Sequence, residues 1–275
     1  MRNDFGMFIL SHGRAGNVLT FDTLRRCGYT GKIFIVIDDQ DEQQEDYKKE
    51  YGDCVIVFDK REWAEKTDTI KATCDLRSVV FARNACYEIA KQLNMRYFCE
   101  FDDDLEEIRI RYLSDNKLRG KRVEDFDSIV DCMISFMESD NRICSLSFGL
   151  DFDYIGGKNG QYQKKLERMC FGFYFLRVDN PVPFIGITCE DMNAALKVCD
   201  SGNIMFRVFD IMAYSPERTT NEGGNFSLYN SMTKYVRNFY PVIVCPSGIK
   251  IKPNHDIKKY SDYIFPMIIG GRWKK

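Results

Sequence analysis

Three consecutive aspartates, Asp102, Asp103 and Asp104, are the residues whose types and spacing point most directly to chemistry. They follow an apolar, aromatic stretch at 97–101 that is typical of a buried strand. Crowded carboxylates repel one another unless a cation or hydrogen-bond donors compensate them. Asp102 and Asp104 would project to the same side of an extended backbone, where Mg²⁺ or Mn²⁺ could bind oxygen ligands shared with substrate phosphates. A solvated acidic turn is the alternative interpretation.

Two earlier predicted strands, at 7–10 and 32–37, also end in polar residues. These polar residues are Ser11, His12, Gly13 and Arg14 after the first strand, and Asp38 and Asp39 after the second. The glycine would let the backbone approach a phosphate or a ribose closely, although the turn matches neither a dinucleotide-binding motif nor a P-loop. A plain turn is therefore the competing interpretation.

The first hundred residues predict a sheet with helices between its strands. Helical spacing at 18–28, 42–51 and 75–94 alternates with apolar strand patterns that continue at 54–58 and 97–101. This order predicts parallel strands in a doubly wound sheet, with the polar strand ends at one edge. Arg83 lies in the third helix, either as a solvated residue or close to the aspartates of the next strand.

The second half of the chain is less regular. We expect strands at 106–113, 143–148, 171–178, 204–211, 242–245 and 249–254, and helices at 123–137, 188–199 and 228–239. A basic loop is expected at 117–122, and a mobile segment rich in glycine, lysine and tyrosine at 153–168. Charge clusters are usually solvated surface, but Lys164 and Lys165 are candidates for phosphate contacts.

Glu190 and Asp191 open the predicted helix at 188–199 and allow two interpretations. Thr188 and Asp191 have the spacing of a capping box, and acid in a first helical turn complements the helix dipole. Alternatively, one of the two carboxylates is a general base, which must lie within hydrogen-bond reach of a hydroxyl proton.

Two features near the C-terminal end are further candidates for the site. His255 follows an extended segment and is either a capping or surface residue or the ligand that completes an oxygen-rich metal site. A polar loop either lies on the surface or closes over a ligand. This loop consists of Asn221, Glu222, Gly223, Gly224 and Asn225.

The composition excludes several classes of protein. The 275 residues are 44% hydrophobic and 29% charged, which is typical of a folded globular protein. A net charge of −2 indicates that any nucleic-acid contact comes from a local basic patch. The 11 cysteines lack any CxxC or zinc-type spacing, so we expect reduced thiols and a cytoplasmic location. No stretch is apolar enough for a signal peptide or a membrane span.

Together these motifs resemble the GT-A class of nucleotide-sugar glycosyltransferases, and within it the TET/JBP-associated glycosyltransferase family of phages. The resemblance covers nearly the whole chain and depends on the order and spacing of short motifs. They are residues 11–17, 28–31, 38–39, 51–52 with 57–58, 82–84, 101–105, 190–191 and 222–225.

The resemblance implies a single α/β domain with a GT-A-like, Rossmann-like fold, whose mostly parallel central sheet is flanked by helices. Residues 1–105 would bind the nucleotide-sugar and residues 106–275 the acceptor. The implied reaction moves a sugar, with glucose as our expectation, from a UDP-sugar to the hydroxyl of 5-hydroxymethylcytosine or a related base in DNA. The base would flip out of the duplex. Other acceptors (sugar, lipid or protein), nucleotidyl transfer and a non-catalytic DNA-binding module remain alternatives.

The resemblance also assigns roles to residues. Ser11, Arg14 and their neighbours would hold the nucleotide, and Asp38 or Asp39 would recognise the uracil. Asp102 and Asp104 would contact ribose and metal, with Arg83 close by and His255 as a further metal ligand. Asp191 would be the base of an inverting reaction, with Glu190 as the second choice.

Overall fold

The computed structural model describes residues 2–70, 75–215, 228, 231–232, 234–256 and 261–268, with side chains described as far as Ile251 except at 234 and 235. The helices within these ranges are α1 (Leu19–Arg26), α2 (Gln44–Tyr51), α3 (Lys60–Lys66), α4 (Val80–Gln92), α5 (Phe126–Glu138), α6 (Glu190–Asp200) and α7 (Lys234–Val244).

Ten of the twelve described strands form one large sheet, and the last two form a separate hairpin. The strand order in the large sheet is β3-β2-β1-β4-β9-β7-β10-β5-β6, and β8 pairs with β10. The strands are β1 (Phe5–Leu10), β2 (Lys32–Asp38), β3 (Val55–Phe58), β4 (Tyr97–Asp102), β5 (Glu107–Ser114), β6 (Lys117–Arg122), β7 (Ile143–Leu150), β8 (Leu166–Glu167), β9 (Tyr174–Arg177), β10 (Ile204–Tyr214), β11 (Ile249–Asp256) and β12 (Ser261–Ile268).

The large sheet is mostly parallel, as the sequence predicts. Strands β1 to β4 are parallel neighbours, and β7 and β10 run in the same direction beyond the antiparallel β9. The antiparallel hairpin β5–β6 completes the edge next to β10.

Both faces of the sheet are covered, and β1 shows why. All six residues of β1 are buried, with Phe5, Met7 and Ile9 in one apolar layer and Phe8 and Leu10 in the other. Alternate side chains of a strand point to opposite faces, so a continuous apolar run is stable only between two layers. Helices α1 and α5 supply one layer, and α4 and α6 supply the other.

Three local predictions are wrong. The basic loop expected at 117–122 is strand β6, the apolar residues 242–244 belong to helix α7 instead of a strand, and α3 was not predicted. A short apolar run does not distinguish a buried strand from a helix. The segment 153–168, which was expected to be mobile, contains the end of one short 3₁₀ turn, two complete ones and β8.

The cysteines that the structure describes all carry free thiols. Among the described helices, none has the length and apolar character needed to cross a membrane.

Candidate active site

The carboxyl ends of β1, β2 and β4 meet at one edge of the sheet. Leu10, the last residue of β1, lies in register with Val36 of β2 on one side and with Asp102 of β4 on the other. The loops that follow these strands therefore contact each other, as the parallel order predicts. Ligands of open α/β sheets bind at this edge.

A hydrogen-bond network holds the loop after β1. Arg14 Nη1 lies 2.5 Å from Asp103 Oδ1, and Ser11 Oγ donates to Asp103 Oδ2 at 2.6 Å. Tyr47 OH lies 2.7 Å from Ser11 Oγ and accepts the backbone N–H of Arg14 at 2.9 Å. The Ser11 proton is directed to a carboxylate, so Tyr47 donates to Ser11.

Asp103 is the centre of this network and is only 5% exposed. Burial raises its pKa to about 6, although the charge of Arg14 and the hydrogen bond from Ser11 oppose that rise. Its carboxylate positions the Ser11–Arg14 loop and is turned away from open solvent. Ser11 is likewise buried and engaged with protein partners.

A second network joins the loops after β1 and β2. His12 Nδ1 lies 2.8 Å from Asp38 Oδ2, and Lys60 Nζ donates to the same oxygen at 3.0 Å. The N–H of Gly13 donates to the buried Asp41 at 2.8 Å. Of the two predicted uracil-recognising residues, Asp38 is therefore buried in an ion pair, whereas Asp39 is exposed at the rim.

The charges in this second network are mutually stabilising. Burial alone would raise the pKa of Asp38, but the hydrogen bond from His12 and the charge of Lys60 bring it below its ordinary value. The hydrogen bond to Asp38 raises the pKa of His12, in opposition to burial. Asp38 and His12 consequently favour each other's charged form.

Arg83 connects the strand that carries the aspartates to the helix that carries the candidate base. Its guanidinium lies 3.3 Å from Glu100 Oε2, 3.6 Å from Asp102 Oδ1 and 3.6 Å from Glu190 Oε1. Nη2 also donates to the carbonyl of Gly172 at 3.2 Å. Arg83 is buried, so the helix residue that the sequence left open is not a solvated one.

Glu100 is a completely buried acid directly below the site edge. Burial raises its pKa to about 8, while the charge of Arg83 acts in the opposite direction. The carboxylates around Arg83 hold the pKa of the guanidinium above its ordinary value in spite of burial. A single cation thus faces three acids, and the completely buried Glu100 is the one closest to it.

Tyr174 extends this polar layer on the same face of the sheet. The centre of the Arg83 guanidinium lies 4.9 Å from the centroid of its ring. The Tyr174 hydroxyl is buried and has no hydrogen-bond partner among the described residues. Burial raises its pKa, and the nearby acids Asp191 and Glu190 act in the same direction.

The start of α6 does not contain the capping box that the spacing of Thr188 and Asp191 suggests. Cys189 is the N-cap residue, with a left-handed φ of 52°, and its side chain makes no capping hydrogen bond. Glu190 is buried beside Arg83, whereas Asp191 is only partly buried and its Oδ1 accepts the N–H of Met192 at 2.7 Å. Asp191 is therefore the more accessible of the two acids.

The aspartate run fits a metal ion only together with a ligand. No group of three or more histidine, cysteine, aspartate or glutamate side chains in the described ranges is arranged to hold a metal. An ion shared with a diphosphate needs one or two protein carboxylates. Asp102 has a side chain that is 48% exposed, and Asp104 is partly exposed, on either side of the buried Asp103. Their hard oxygen donors suit Mg²⁺ or Mn²⁺.

Other predicted residues lie elsewhere or outside the described part. Lys164 pairs with Glu167 at 2.7 Å and Lys165 with Asp210 at 2.6 Å, so both already have acidic partners. The predicted closing loop at 221–225 lies outside the described residues. His255 is in β11, and its side chain is not among those described.

Sequence reasoning missed several partners in these networks. Tyr47 is the one buried residue of the charged helix α2, and an isolated tyrosine among charged residues was the available signal. Lys60, Asp41 and Tyr174 carry no motif, because their roles arise from contacts between distant segments.

Comparison with known proteins defines the class of this molecule. A family model described as TET-Associated Glycosyltransferase matches residues 5–225. The protein is therefore a glycosyltransferase. The chain belongs to the TET-associated glycosyltransferase family, which confirms the resemblance found in the sequence. A comparison with curated proteins finds no match.

Solved structures that are similar to the chain include three transferases of low sequence identity. Glucosyl-3-phosphoglycerate synthase from Mycobacterium tuberculosis, in complex with Mn²⁺, UDP and phosphoglyceric acid, is 9% identical with a TM-score of 0.45, covering 95% of this chain and 86% of that one. GalNAc-T7 with UDP, GalNAc and Mn²⁺ is 13% identical with a TM-score of 0.45, covering 77% and 43%. A CMP:2-keto-3-deoxy-manno-octonic acid synthetase complexed with CTP is 8% identical with a TM-score of 0.41, covering 77% and 90%.

Proposed function

We propose that this glycosyltransferase moves a sugar, with glucose as the first candidate, from a UDP-sugar to the hydroxyl of a hydroxymethylated pyrimidine in DNA. The nucleotide-sugar would bind mainly to residues 1–105 and the acceptor mainly to residues 106–275. The observation that carries the proposal is the position of Arg83, whose guanidinium is 3.6 Å from both Asp102 and Glu190. One buried cation thereby holds the candidate donor-binding strand next to the candidate base helix.

The proposed reaction replaces one bond at the anomeric carbon with another. The acceptor oxygen attacks this carbon, the bond to the diphosphate oxygen breaks, and UDP leaves with that electron pair. Asp191 accepts the proton of the acceptor hydroxyl, a role that needs an ionised carboxylate within hydrogen-bond reach. Its partial exposure and its place in the first turn of α6 suit this role better than the buried Glu190.

Asp102 and Asp104 are the residues that would hold Mg²⁺ or Mn²⁺ with the diphosphate. When bound, such an ion offsets the negative charge that develops on the leaving group. Arg83 keeps Asp102 in place from below, and Asp103 anchors the Ser11–Arg14 loop beside it. We propose that the backbone of this loop and exposed Asp39 contact the nucleotide.

The acceptor is the part of the proposal that comes from the family resemblance. A hydroxymethylated base within a duplex is inaccessible until it leaves the stack, so we expect it to be flipped into the site. Glucose is the donor sugar to test first. Other sugars follow in the same assay, because no motif in this chain distinguishes sugars that differ by one hydroxyl.

The direct test is incubation with UDP-glucose, Mn²⁺ and a duplex that contains 5-hydroxymethylcytosine. We expect release of UDP and a product nucleoside heavier by one hexose, measured by mass spectrometry. Asp191→Asn should lower kcat at least a hundredfold, in keeping with the loss of a general base. Asp200→Asn, at the exposed other end of α6, is the matched control and should retain activity.

The same assay separates the alternatives. UDP release that does not depend on the modified base would assign another acceptor, and a panel of donor nucleotides would then identify another sugar. Duplex binding without metal-dependent UDP binding would contradict the proposal and indicate a non-catalytic module.

A further inference from the structure

The hairpin β5–β6 is an exposed basic ribbon in a chain that is slightly acidic as a whole. Residues 109–122 contain six lysines and arginines and one aspartate, whereas the whole chain has 39 basic and 41 acidic residues. Five of the six residues of β6 are exposed. The charge of this segment is therefore a local feature that the composition of the chain conceals.

The turn between the two strands is built for a regular hairpin. Asp115 and Asn116 both have a left-handed backbone, with φ values of 50° and 62°. Two such residues are typical of a type I′ turn, whose twist matches that of paired strands, and aspartate and asparagine tolerate this conformation well. The ribbon consequently has a defined register, from Arg109 opposite Arg122 to Ser114 opposite Lys117.

The register sorts the side chains onto two faces. One face carries Ile110, Tyr112, Lys117, Arg119 and Lys121, because Ile110 lies opposite Lys121 and Tyr112 opposite Arg119. We call this set the outer ribbon face. Ile110 is 41% exposed and Tyr112 is 44% exposed, so an aliphatic and an aromatic side chain lie between three cations.

On the opposite face of the ribbon the cations already have partners, although Leu113 on that face is 51% exposed. The guanidinium of Arg111 lies 4.9 Å from the ring centroid of Tyr154, and Arg109 and Arg122 both form ion pairs with Glu107. On the outer ribbon face, by contrast, Lys117 and Arg119 have no acidic partner among the described residues, and Lys121 has only an exposed pair with Glu124 at 3.5 Å. The cations of the outer face are thus available to a polyanion.

The ribbon begins at the edge of the sheet that contains the candidate active site. Strand β10 runs in the same direction as β4, and its last residue, Tyr214, lies opposite Glu107 at the start of β5. Strand β10 pairs with β5 only as far as Ile110, so 111–114 pair with β6 alone. Glu107, at the start of β5, therefore lies at the edge where Asp102 ends β4, and the two-stranded distal half extends away from that edge.

We infer that the outer ribbon face binds the phosphate backbone of duplex DNA and leads the duplex to the active site, an inference that rests on the DNA acceptor proposed above. Lys117, Arg119 and Lys121 are alternate residues of one strand and recur about every 7 Å. Each can therefore contact a separate phosphate. A two-stranded ribbon has dimensions that the major groove accepts, and Tyr112 supplies apolar contact with the sugar edges.

Charge on an edge strand has a second possible purpose, which is to prevent pairing with another chain. That purpose would explain the lysines and arginine on β6, but it does not explain why Ile110 and Tyr112 are exposed beside them on β5. An apolar and aromatic strip framed by three exposed cations, of which only Lys121 has an acidic partner among the described residues, is more typical of a surface that contacts nucleic acid.

The test measures binding of the full chain to a fluorescein-labelled duplex of about 20 base pairs by anisotropy, at salt concentrations between about 50 and 200 mM. The triple variant Lys117→Gln, Arg119→Gln, Lys121→Gln should bind at least tenfold more weakly at about 100 mM salt. The slope of log K against log salt should fall by about 2 to 3, since each lost phosphate contact removes about 0.9.

The matched control removes the same charge elsewhere. Lys49→Gln, Lys66→Gln, Lys91→Gln changes three exposed lysines of α2, α3 and α4. This variant should retain the affinity and slope of the unaltered protein. Tyr112→Ala keeps every charge and should weaken binding several-fold at each salt concentration without changing the slope. Thermal unfolding of all variants verifies that they fold.

Several results would overturn the inference: no binding by the unaltered protein, an equal loss in both triple variants, or no loss in either. Displacement by polyglutamate as effective, per charge, as displacement by duplex would identify an acidic protein as the occupant. These experiments need no donor and no metal. Metal-dependent binding of UDP, measured separately by calorimetry, tests the proposed function. A failure of the ribbon inference can therefore be distinguished from a failure of the proposed function.

Discussion

Arg83 Nη1 lies 3.3 Å from Glu100 Oε2, and both side chains are almost completely removed from solvent, with 3% and 0% exposure. This pair lies on the same face of β4 as the side chain of Asp102, and the same guanidinium lies close to both Asp102 and Glu190 of α6. A buried cation among three acids is costly unless each contact is kept, so the geometry of the site and the stability of the fold depend on one residue.

Replacement of Arg83 should therefore destabilise the protein. Arg83→Met leaves the buried Glu190 without its cation and removes the hydrogen bond to Glu100, and removal of one partner of a buried ion pair typically costs about 3–5 kcal/mol. Urea unfolding measures the loss. Arg61→Met on the exposed surface of α3 is the control and should change stability by less than about 0.5 kcal/mol. Equal stability of the two variants would contradict the prediction.

Glu100 should make stability depend on pH. Its pKa is about 8 in the folded protein, above its ordinary value of 4.5. The folded state therefore keeps a proton that the unfolded state releases, and stability falls as pH rises from about 4.5 to 8. Glu100→Gln imitates the neutral acid and should flatten this part of the curve, measured as the free energy of unfolding at several pH values. An unchanged curve would refute the assignment.

Substitution of Asp103 should mainly lower stability, whereas substitution of Asp102 should mainly weaken ligand binding. Asp103→Ala removes the acceptor of Ser11 and the partner of Arg14, so we expect a loss of about 1–3 kcal/mol in unfolding free energy. Asp102→Ala changes a half-exposed side chain and should cost less stability. It should, however, weaken Mn²⁺-dependent UDP binding at least tenfold. Calorimetry with and without Mn²⁺ measures the UDP binding of both variants. A larger loss of stability in Asp102→Ala, together with weaker UDP binding in Asp103→Ala alone, would disprove both roles.

The His12–Asp38 pair should stabilise the loop after β1 over a limited pH range. Since the pKa of His12 is raised, its contribution is complete below about 6.5 and disappears as pH rises through the folded value. Since the pKa of Asp38 is lowered, its contribution exists above about 3.8 and disappears as pH falls through the folded value. The chain has two histidines, so an NMR titration with His12→Gln for assignment identifies the signal. A His12 pKa below 6.5 would exclude the interaction.

The sequence by itself determined the α/β character of the chain, the order of its first elements and the edge at which its acids meet. The reason is that apolar periodicity specifies strands and helices locally, and parallel strands joined by helices necessarily end at one edge. The predicted strand at 97–101 and the acids that follow it are therefore present in the structure nearly as expected, as β4 and its carboxyl-end loop.

Tertiary structure alone decided the roles within the aspartate run. Asp103 is buried because Ser11 and Arg14, some ninety residues earlier, meet it across the sheet, whereas Asp102 and Asp104 remain partly exposed. Likewise, Arg83 became a buried link between Glu100 and Glu190, although its helical position is equally compatible with a solvated side chain. Burial and long-range ion pairing depend on which segments pack together, and no local pattern of residues contains that information.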